Sequence, residues 1–359
     1  MRAKASRANA AAGEIVTSAP GKLFLLGEYA VLDGAPALLT TVDRRVRVVV
    51  RSATTDHWQL STPGAAATTH SDRIELGSDG SVPESLDPTE RARLRVFDAV
   101  RKSVLATVDA TAPGPLEISI DSTSFSREGH KLGLGSSAAV AVALTAALAQ
   151  AGGLNLAPQQ LYSRALMAHR AAQGGTGSGG DIAASMHGGL IQYTRGAPPT
   201  QLTWPAGLAM LAVVTGTGSS TTQLVGRVQA YAARNPLRYR SDIGRLARLA
   251  GQAGEALAAT NSFLRLATKY FQALSQLDDH AGAGIVTQRH RALHRLAAAH
   301  GGTFKSSGAG GGDVGLAFCE SGRPALLLSA ALTSAGARVV PLGFGTDGLR
   351  QTAYGRMKQ

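Results

Sequence analysis

Two regimes of pattern along the chain predict an α+β fold in two domains, residues 1–200 and 201–359. Through the first part, β-type runs such as Val42–Arg51 and Leu116–Ser122 alternate with helical stretches, notably the alanine-rich run Ala138–Ala151. From about Gln223 to Ala299 the pattern is mainly helical, and short strands near Val314–Phe318 and Arg338–Leu342 follow it. At 359 residues the chain is long enough for two domains that share a cleft.

Taken in order, residues 14–27 read as strand, turn, strand, with Lys22 at the turn and Glu28 just beyond the second strand. The stretch Ser61–Thr89, rich in Gly, Ser, Thr and Pro, reads as a surface excursion. Helical periodicity covers Arg91–Val108 and Leu161–Gln173, and Leu190–Thr194 reads as a strand. Leu208–Thr215 is a strand of the buried type and opens the second domain, whose helices break near Asn235-Pro236 and Gly282–Gly284. Trp204-Pro205 reads as packing at the boundary.

Composition excludes several classes. Hydrophobic residues make up 44% and charged residues 17%, which fits a soluble globular protein. The longest apolar stretch, Ala138–Ala149, is broken by Thr145 and too short to span a bilayer, so no membrane partner is expected. Met1–Ala12 is basic and lacks the apolar core of a secretory signal; a tail and a transit peptide both fit it. Cys319 is the only cysteine, so no internal disulfide forms, and a reducing cytoplasm is the expected compartment. It lies in an apolar run and reads as a buried packing thiol. The net charge of +12 comes from arginines scattered at helical spacings, and aromatics are 5% of the chain. That is thin for a nucleic-acid surface and suits a small anionic substrate instead.

Three glycine-rich stretches carry the chemistry: Lys131-Leu-Gly-Leu-Gly-Ser-Ser137, Gly174-Gly-Thr-Gly-Ser-Gly-Gly-Asp181 and Lys305-Ser-Ser-Gly-Ala-Gly-Gly-Gly-Asp313. Glycine lets a backbone close on an anion and turn its N–H groups inward. The first stretch runs straight into the alanine-rich helix, whose N-terminus adds free donors and partial positive charge. No Walker loop and no strand-borne G-x-G-x-x-G with an acidic ribose contact is present.

Pro20-Gly-Lys-Leu-Phe-Leu-Leu-Gly-Glu-Tyr29, Gly133-Leu-Gly-Ser-Ser-Ala-Ala139 and Ser306-Ser-Gly-Ala-Gly-Gly-Gly312 resemble the three ordered motifs of the GHMP small-molecule kinases. The resemblance covers nearly the whole chain. Within the family it leans to the phosphomevalonate kinase branch, through Lys131 before the first loop, Gln173…Gly177-Ser-Gly-Gly-Asp-Ile-Ala-Ala-Ser185, Thr215-Gly-Thr-Gly-Ser-Ser-Thr221 and Ser307–Asp313. The resemblance implies an N-terminal ribosomal-S5-like α/β domain, a C-terminal ferredoxin-like α+β domain and an active site in the cleft between them. It implies ATP and Mg2+, a small phosphorylated substrate, and a monomer or homodimer.

The same resemblance assigns roles. Lys22 and Asp181 are catalytic, Lys22 stabilising charge on the transferring group and Asp181 orienting it. Gly133, Leu134, Gly135, Ser136 and Ser137 hold the ATP phosphates, and Ser137 also meets the metal. Lys131 adds charge at the loop's edge or is simply a solvated lysine. Ser178, Ser219, Ser220, Thr221, Gly308, Ala309 and Gly310 face the acceptor. Lys305 and His187 are further candidates for its phosphate or carboxylate, His187 equally for packing or capping a turn. Glu28 and Tyr29 are structural or line the site. Asp313 is a cap or a site residue, and Asp278-Asp279-His280 reads as a solvated helix end rather than a metal cluster. By the same resemblance, mevalonate kinases carry a magnesium-binding glutamate about eleven residues before the aspartate matching Asp181; here that stretch reads Ala168-His-Arg-Ala171, with no carboxylate. Mevalonate kinase activity, a non-catalytic ligand sensor, a decarboxylase of the same fold and a nucleic-acid module are the competing readings.

Overall fold

The computed structural model describes residues 13–64, 73–106, 113–127, 130–175, 177–216, 220–312 and 314–352. β1 (Ile15–Leu26) and β2 (Ala37–Ser52) pair antiparallel from Ile15 opposite Val50 to Leu26 opposite Leu38. Val46, Val48 and Val50 are buried while Arg47 and Arg51 face out, the two-residue period of a half-covered strand. The turn expected around Lys22 is replaced by a bulge: β1 runs on through Pro20, and the register shifts between Pro20 and Lys22. Proline has no N–H for the ladder, and Gly21 lies so close to the Leu134 carbonyl that a Cβ would sit 2.8 Å from it. The ladder is therefore interrupted without the chain reversing.

β3 (Gln59–Ser61), β4 (Arg73–Glu75) and β5 (Leu116–Asp121) extend this sheet, β5 on β2 and the short pair beyond it. The middle of the expected surface excursion, residues 65–72, lies outside the described residues. The single helix expected over Arg91–Val108 is split into α1 (Pro88–Arg93) and α2 (Arg95–Leu105), and residues 107–108 lie outside the described set. A small hairpin, β6 (Ser126–Arg127) with β7 (His130–Lys131), leads into the first glycine loop and α3 (Ser136–Ala151). From Ala138 to Ala149 every residue of α3 except Val140 is buried, so this helix is a core element rather than a surface one. Its small side chains let it lie on β1 and β2, where the Thr17 hydroxyl donates to the Ala143 carbonyl at 2.7 Å. α4 (Pro158–Ala172) packs on α3 with Leu161, Ala165, Ala168 and His169 buried, a helical stripe. α5 (Gly180–His187) follows, then β8 (Leu190–Tyr193), which joins β2, and β9 (Thr200–Leu202), which joins β8.

β10 (Leu208–Val214) opens the second unit. α6 (Thr221–Arg234), α7 (Pro236–Gly251), α8 (Ala253–Ala256), α9 (Thr260–Ala281) and α10 (Gln288–Ala299) come next. β11 (Thr303–Ser306), β12 (Val314–Glu320), α11 (Arg323–Ser334) and β13 (Arg338–Val340) complete it. The sheet runs β11-β12-β10-β13, all antiparallel, which with its helices is the ferredoxin-like β-α-β-β-α-β arrangement. β11 and α11 are not among the elements the pattern predicts. The third glycine loop is accordingly a hairpin connection between β11 and β12. The chain then returns to the first sheet, where β14 (Arg350–Gln351) pairs with β1, so that unit takes residues from beyond the expected boundary at 200. Cys319 is fully buried. Among the described residues, no helix is long and apolar enough to cross a membrane.

The two units are fastened where β1 ends. The Lys305 amine donates to Glu28 Oε1 and to the Ser306 carbonyl, both at 2.5 Å, with Lys305 fully buried and Glu28 only 3% exposed. Burial pushes the Glu28 carboxyl up and the Lys305 amine down, and the charge of each opposes that shift in the other. The Ser307 hydroxyl accepts from the Phe24 N–H and donates to its carbonyl, each at 2.9 Å, a side chain standing in for a strand neighbour. The Tyr29 hydroxyl donates to the Ala309 carbonyl at 2.6 Å and the Tyr270 hydroxyl to the Glu28 carbonyl at 2.8 Å. Lys305 is thus a fastener in the core, correcting its expected role at the acceptor. Lys305→Ala leaves the Glu28 carboxylate buried and unpaired and is expected to cost about 3–5 kcal/mol. A combined Glu28→Gln, Lys305→Met variant should lose less. Urea denaturation checks both, and an unaltered midpoint for Lys305→Ala would refute the pairing.

Candidate active site

The loop before α3 is anchored to β1 at the residue the motif singles out. The Lys22 N–H donates to the Leu134 carbonyl at 2.8 Å, and a Cβ on Gly135 (φ +75°) would lie 2.6 Å from Lys22 Cε. The left-handed φ favours glycine there, and the missing Cβ lets the lysine stem rest against the loop. Gly135 is the N-cap of α3 and no side chain caps the helix. The N–H groups of its first turn, at Ser136 and Ser137, have no intrahelical acceptor and remain available to an anion. The Lys22 amine stands 5.1 Å from the centre of the Phe24 ring.

A cavity of about 550 Å³ opens between the units. It is lined by Lys22, Lys131, Gly133, Leu134, Gly135, Ser136, Ser137, Ser178 and Asp181 from the first unit, and by Thr221, Gly308 and Ala309 from the second. The structure therefore brings together the first loop, the aspartate of the second and two residues of the third. Tyr29 also lines it, and is the one non-glycine among the described residues with positive φ, at 62°. Strain of this kind survives where surroundings over-determine it, here through the bond to Ala309. Burial pushes the Tyr29 phenol up, keeping it a neutral donor.

Other expected residues fall elsewhere. His187 ends α5, six residues and about 9 Å along the helix from Asp181; it is exposed, beside the Tyr162 ring at 6.0 Å, outside the cavity. Ser220 is exposed and caps α6, its hydroxyl accepting from the Gln223 N–H at 3.4 Å, and it does not line the cavity. Gly310 does not line the cavity and lies against Ile285, whose carbonyl accepts from the Gly311 N–H at 2.9 Å. Ser219 and Asp313 lie outside the described residues. Asp278 is buried, and its carboxylate accepts from the Gly284, Ile285 and Val286 N–H groups, so it shapes the turn that supports the third loop. Asp279 pairs with Arg291, and His280 with Asp242. Among the described residues no group of three or more His, Cys, Asp or Glu could hold a metal.

Sequence reasoning left His169 without a role. Its Nε2 is 3.1 Å from Ser137 Oγ and 3.2 Å from Gln173 Nε2, and its Nδ1 is 3.8 Å from Asp181 Oδ2. The signal was available: a polar residue on the buried stripe of α4. Arg170 and Arg195 were missed as well. Arg170 donates to the Gly177 and Ser178 carbonyls at 3.3 and 3.2 Å, and Arg195 to Gly177 at 3.5 Å. Both line a second alcove of about 340 Å³ that shares Tyr29, Leu32, Gly177 and Val225 with the first. Among the described residues, no carboxylate forms an ion pair with either guanidinium.

Comparison with known proteins identifies the family. Residues 95–189 match the family model of the GHMP kinases N terminal domain. The chain is 34% identical over 352 residues to a phosphomevalonate kinase of Streptomyces sp. (strain CL190), covering 86% of this chain and 90% of that protein. It is 29% identical over 225 residues to a mevalonate kinase of Thermococcus sibiricus, covering 60% of this chain and 61% of that one. Its fold superposes on the Streptococcus pneumoniae phosphomevalonate kinase in complex with phosphomevalonate and AMPPNP with a TM-score of 0.75 and 21% identity, covering 92% of this chain and 99% of that one. The chain belongs to the GHMP kinase family.

Proposed function

We propose that this kinase transfers the terminal phosphoryl group of ATP to 5-phosphomevalonate, forming 5-diphosphomevalonate. The observation that carries the reading is charge. Lys22 and Lys131 line the main cavity and Arg170 and Arg195 the alcove beside it. Against them stand Asp181, Asp33, which is engaged by the Tyr239 hydroxyl at 2.9 Å, and Glu28, which is engaged by Lys305. A site with this excess suits an acceptor that is anionic at both ends. The 34%-identical relative is a phosphomevalonate kinase, which supports the same choice.

In this reading the N–H groups and hydroxyls of the loop from Gly133 to Ser137 hold the ATP phosphates. Phosphoryl transfer then needs position and charge more than covalent help. Lys22, held between Phe24 and Gly135, stabilises charge on the transferring group, and Asp181 orients the reacting groups. A phosphomonoester has its second pKa near about 6, so at neutral pH the nucleophile is largely ionised and needs no general base. Ser178, Thr221, Gly308 and Ala309 face the acceptor, and the two arginines take its carboxylate in a charge-assisted, forked geometry. Magnesium fits Ser137 as a hard cation that keeps phosphate oxygens and waters as its other ligands, and when bound it neutralises phosphate charge.

Three outcomes are expected. In an ADP-release assay with mevalonate, 5-phosphomevalonate, homoserine and galactose in parallel, only 5-phosphomevalonate should turn over; turnover with mevalonate alone would overturn the acceptor. Lys22→Met should lose at least as much kcat as Asp181→Asn, about 100-fold or more for a lost transition-state charge. A nearly unimpaired Lys22 variant contradicts the assignment. Arg195→Ala should raise the acceptor KM about tenfold while leaving the KM for ATP alone; a parallel rise in both constants would place Arg195 elsewhere.

A further inference from the structure

His169 is 2% exposed and touches both halves of the site. A carboxylate facing one ring nitrogen sets the tautomer of the other. With the proton on Nδ1, towards Asp181, Nε2 is the acceptor for the Ser137 hydroxyl and the Gln173 amide. Nε2, which carries the lone pair of this tautomer, is then taken up by the Ser137 hydroxyl and the Gln173 amide, and the ring offers none to a cation. The Ser137 hydroxyl donates inward to the ring, which leaves its oxygen lone pairs for the cavity it lines. The stretch Ala168–Ala171 holds no carboxylate, and an imidazole stands beside Ser137.

We infer that His169 is a positioning residue that holds Ser137 of the nucleotide loop while its other ring nitrogen faces Asp181 across 3.8 Å. With an imidazole beside Ser137, and among the described residues no group of three or more His, Cys, Asp or Glu that could hold a metal, the protein has no divalent-cation site of its own. The metal arrives on the nucleotide. The ring sets the direction of the Ser137 oxygen and stands beside Asp181 without adding a negative charge. That matters in a site whose acceptor already brings a phosphate dianion next to the phosphates of ATP. A carboxylate here would attract the metal and repel the acceptor.

The inference rests on the phosphoryl-transfer reading only for its kinetic arm. In the first arm, Mn2+ alone is titrated into nucleotide-free protein and free Mn2+ is read by electron paramagnetic resonance. His169→Glu, which sets a second carboxylate beside Ser137 and Asp181, should bind Mn2+ at least about tenfold more tightly than the wild type. A wild type that binds as tightly as this variant overturns the inference. In the second arm, His169→Ala should lower kcat about 10- to 100-fold with the acceptor KM unchanged. His169→Gln, whose side-chain oxygen can accept from Ser137 as Nε2 does, should recover most of that loss. Equal losses in the Ala and Gln variants, with thermal midpoints like the wild type, also overturn it. If the wild type forms ADP with none of the acceptors, the phosphoryl-transfer reading fails while the Mn2+ arm still decides this one.

Discussion

The buried pairing of Lys305 with Glu28 is the constraint on which the rest of this structure depends. It joins the end of β1 to the start of the third glycine loop, and so fixes how the ferredoxin-like unit sits on the first sheet. Two charges taken out of water gain little net stability, but separating them is costly, so such a pair sets position more than it adds strength. The Ser307 and Tyr29 bonds to Phe24 and Ala309 extend the same junction along the loop. Gly308 and Ala309 are delivered to the cavity as a consequence, opposite the loop from Gly133 to Ser137.

The other wall follows from packing. α3 is alanine-rich because it has no solvent face: it lies on β1 and β2 with α2, α4 and α5 around it. Small side chains bring backbones close, and the same closeness holds the start of the helix against Lys22. The free N–H groups of the first turn are thereby aimed into a cleft rather than into water. α4 packs on α3 through a stripe whose last member is His169, so the arrangement that buries this helix also sets an imidazole between Ser137 after the first glycine loop and Asp181 after the second.

Charge at the site is set by what is already spoken for. Glu28 lines the cavity, yet its charge is spent on Lys305; Asp33 is held by Tyr239; His169 is turned to Ser137 and Asp181. Arg170 and Arg195 meet only backbone carbonyls among their described bonds, which orient a guanidinium without neutralising it. The cleft is therefore more cationic than a count of its acidic and basic residues suggests, and an acceptor with anionic groups at both ends suits it.

Much was legible from the chain alone. The α+β class, the core helix after the first loop, the strand at Leu208–Val214 and the breaks at Asn235-Pro236 and near Gly282 are local matters of periodicity and turn chemistry. The glycine loops were legible because backbone approach to an anion demands glycine; Lys22 and Asp181 were singled out by the resemblance to the kinase family, and both line the cavity. Bonds between distant segments were not. Lys305 and His187 look alike as candidates in sequence, yet one is consumed by a residue 277 positions away and the other lies at the wrong end of a short helix. The strand Thr303–Ser306 hides inside a lysine-serine run because it is covered on both faces by the rest of the unit, not by its own pattern. Pro20-Gly21 signals a turn by local rules, but pairing with β2 on both sides of it keeps the strand going. Local chemistry thus determined which loops can receive phosphate; only the tertiary structure decided which charges remain free to meet it, because a charge is neutralised by whatever folding brings within a few ångströms.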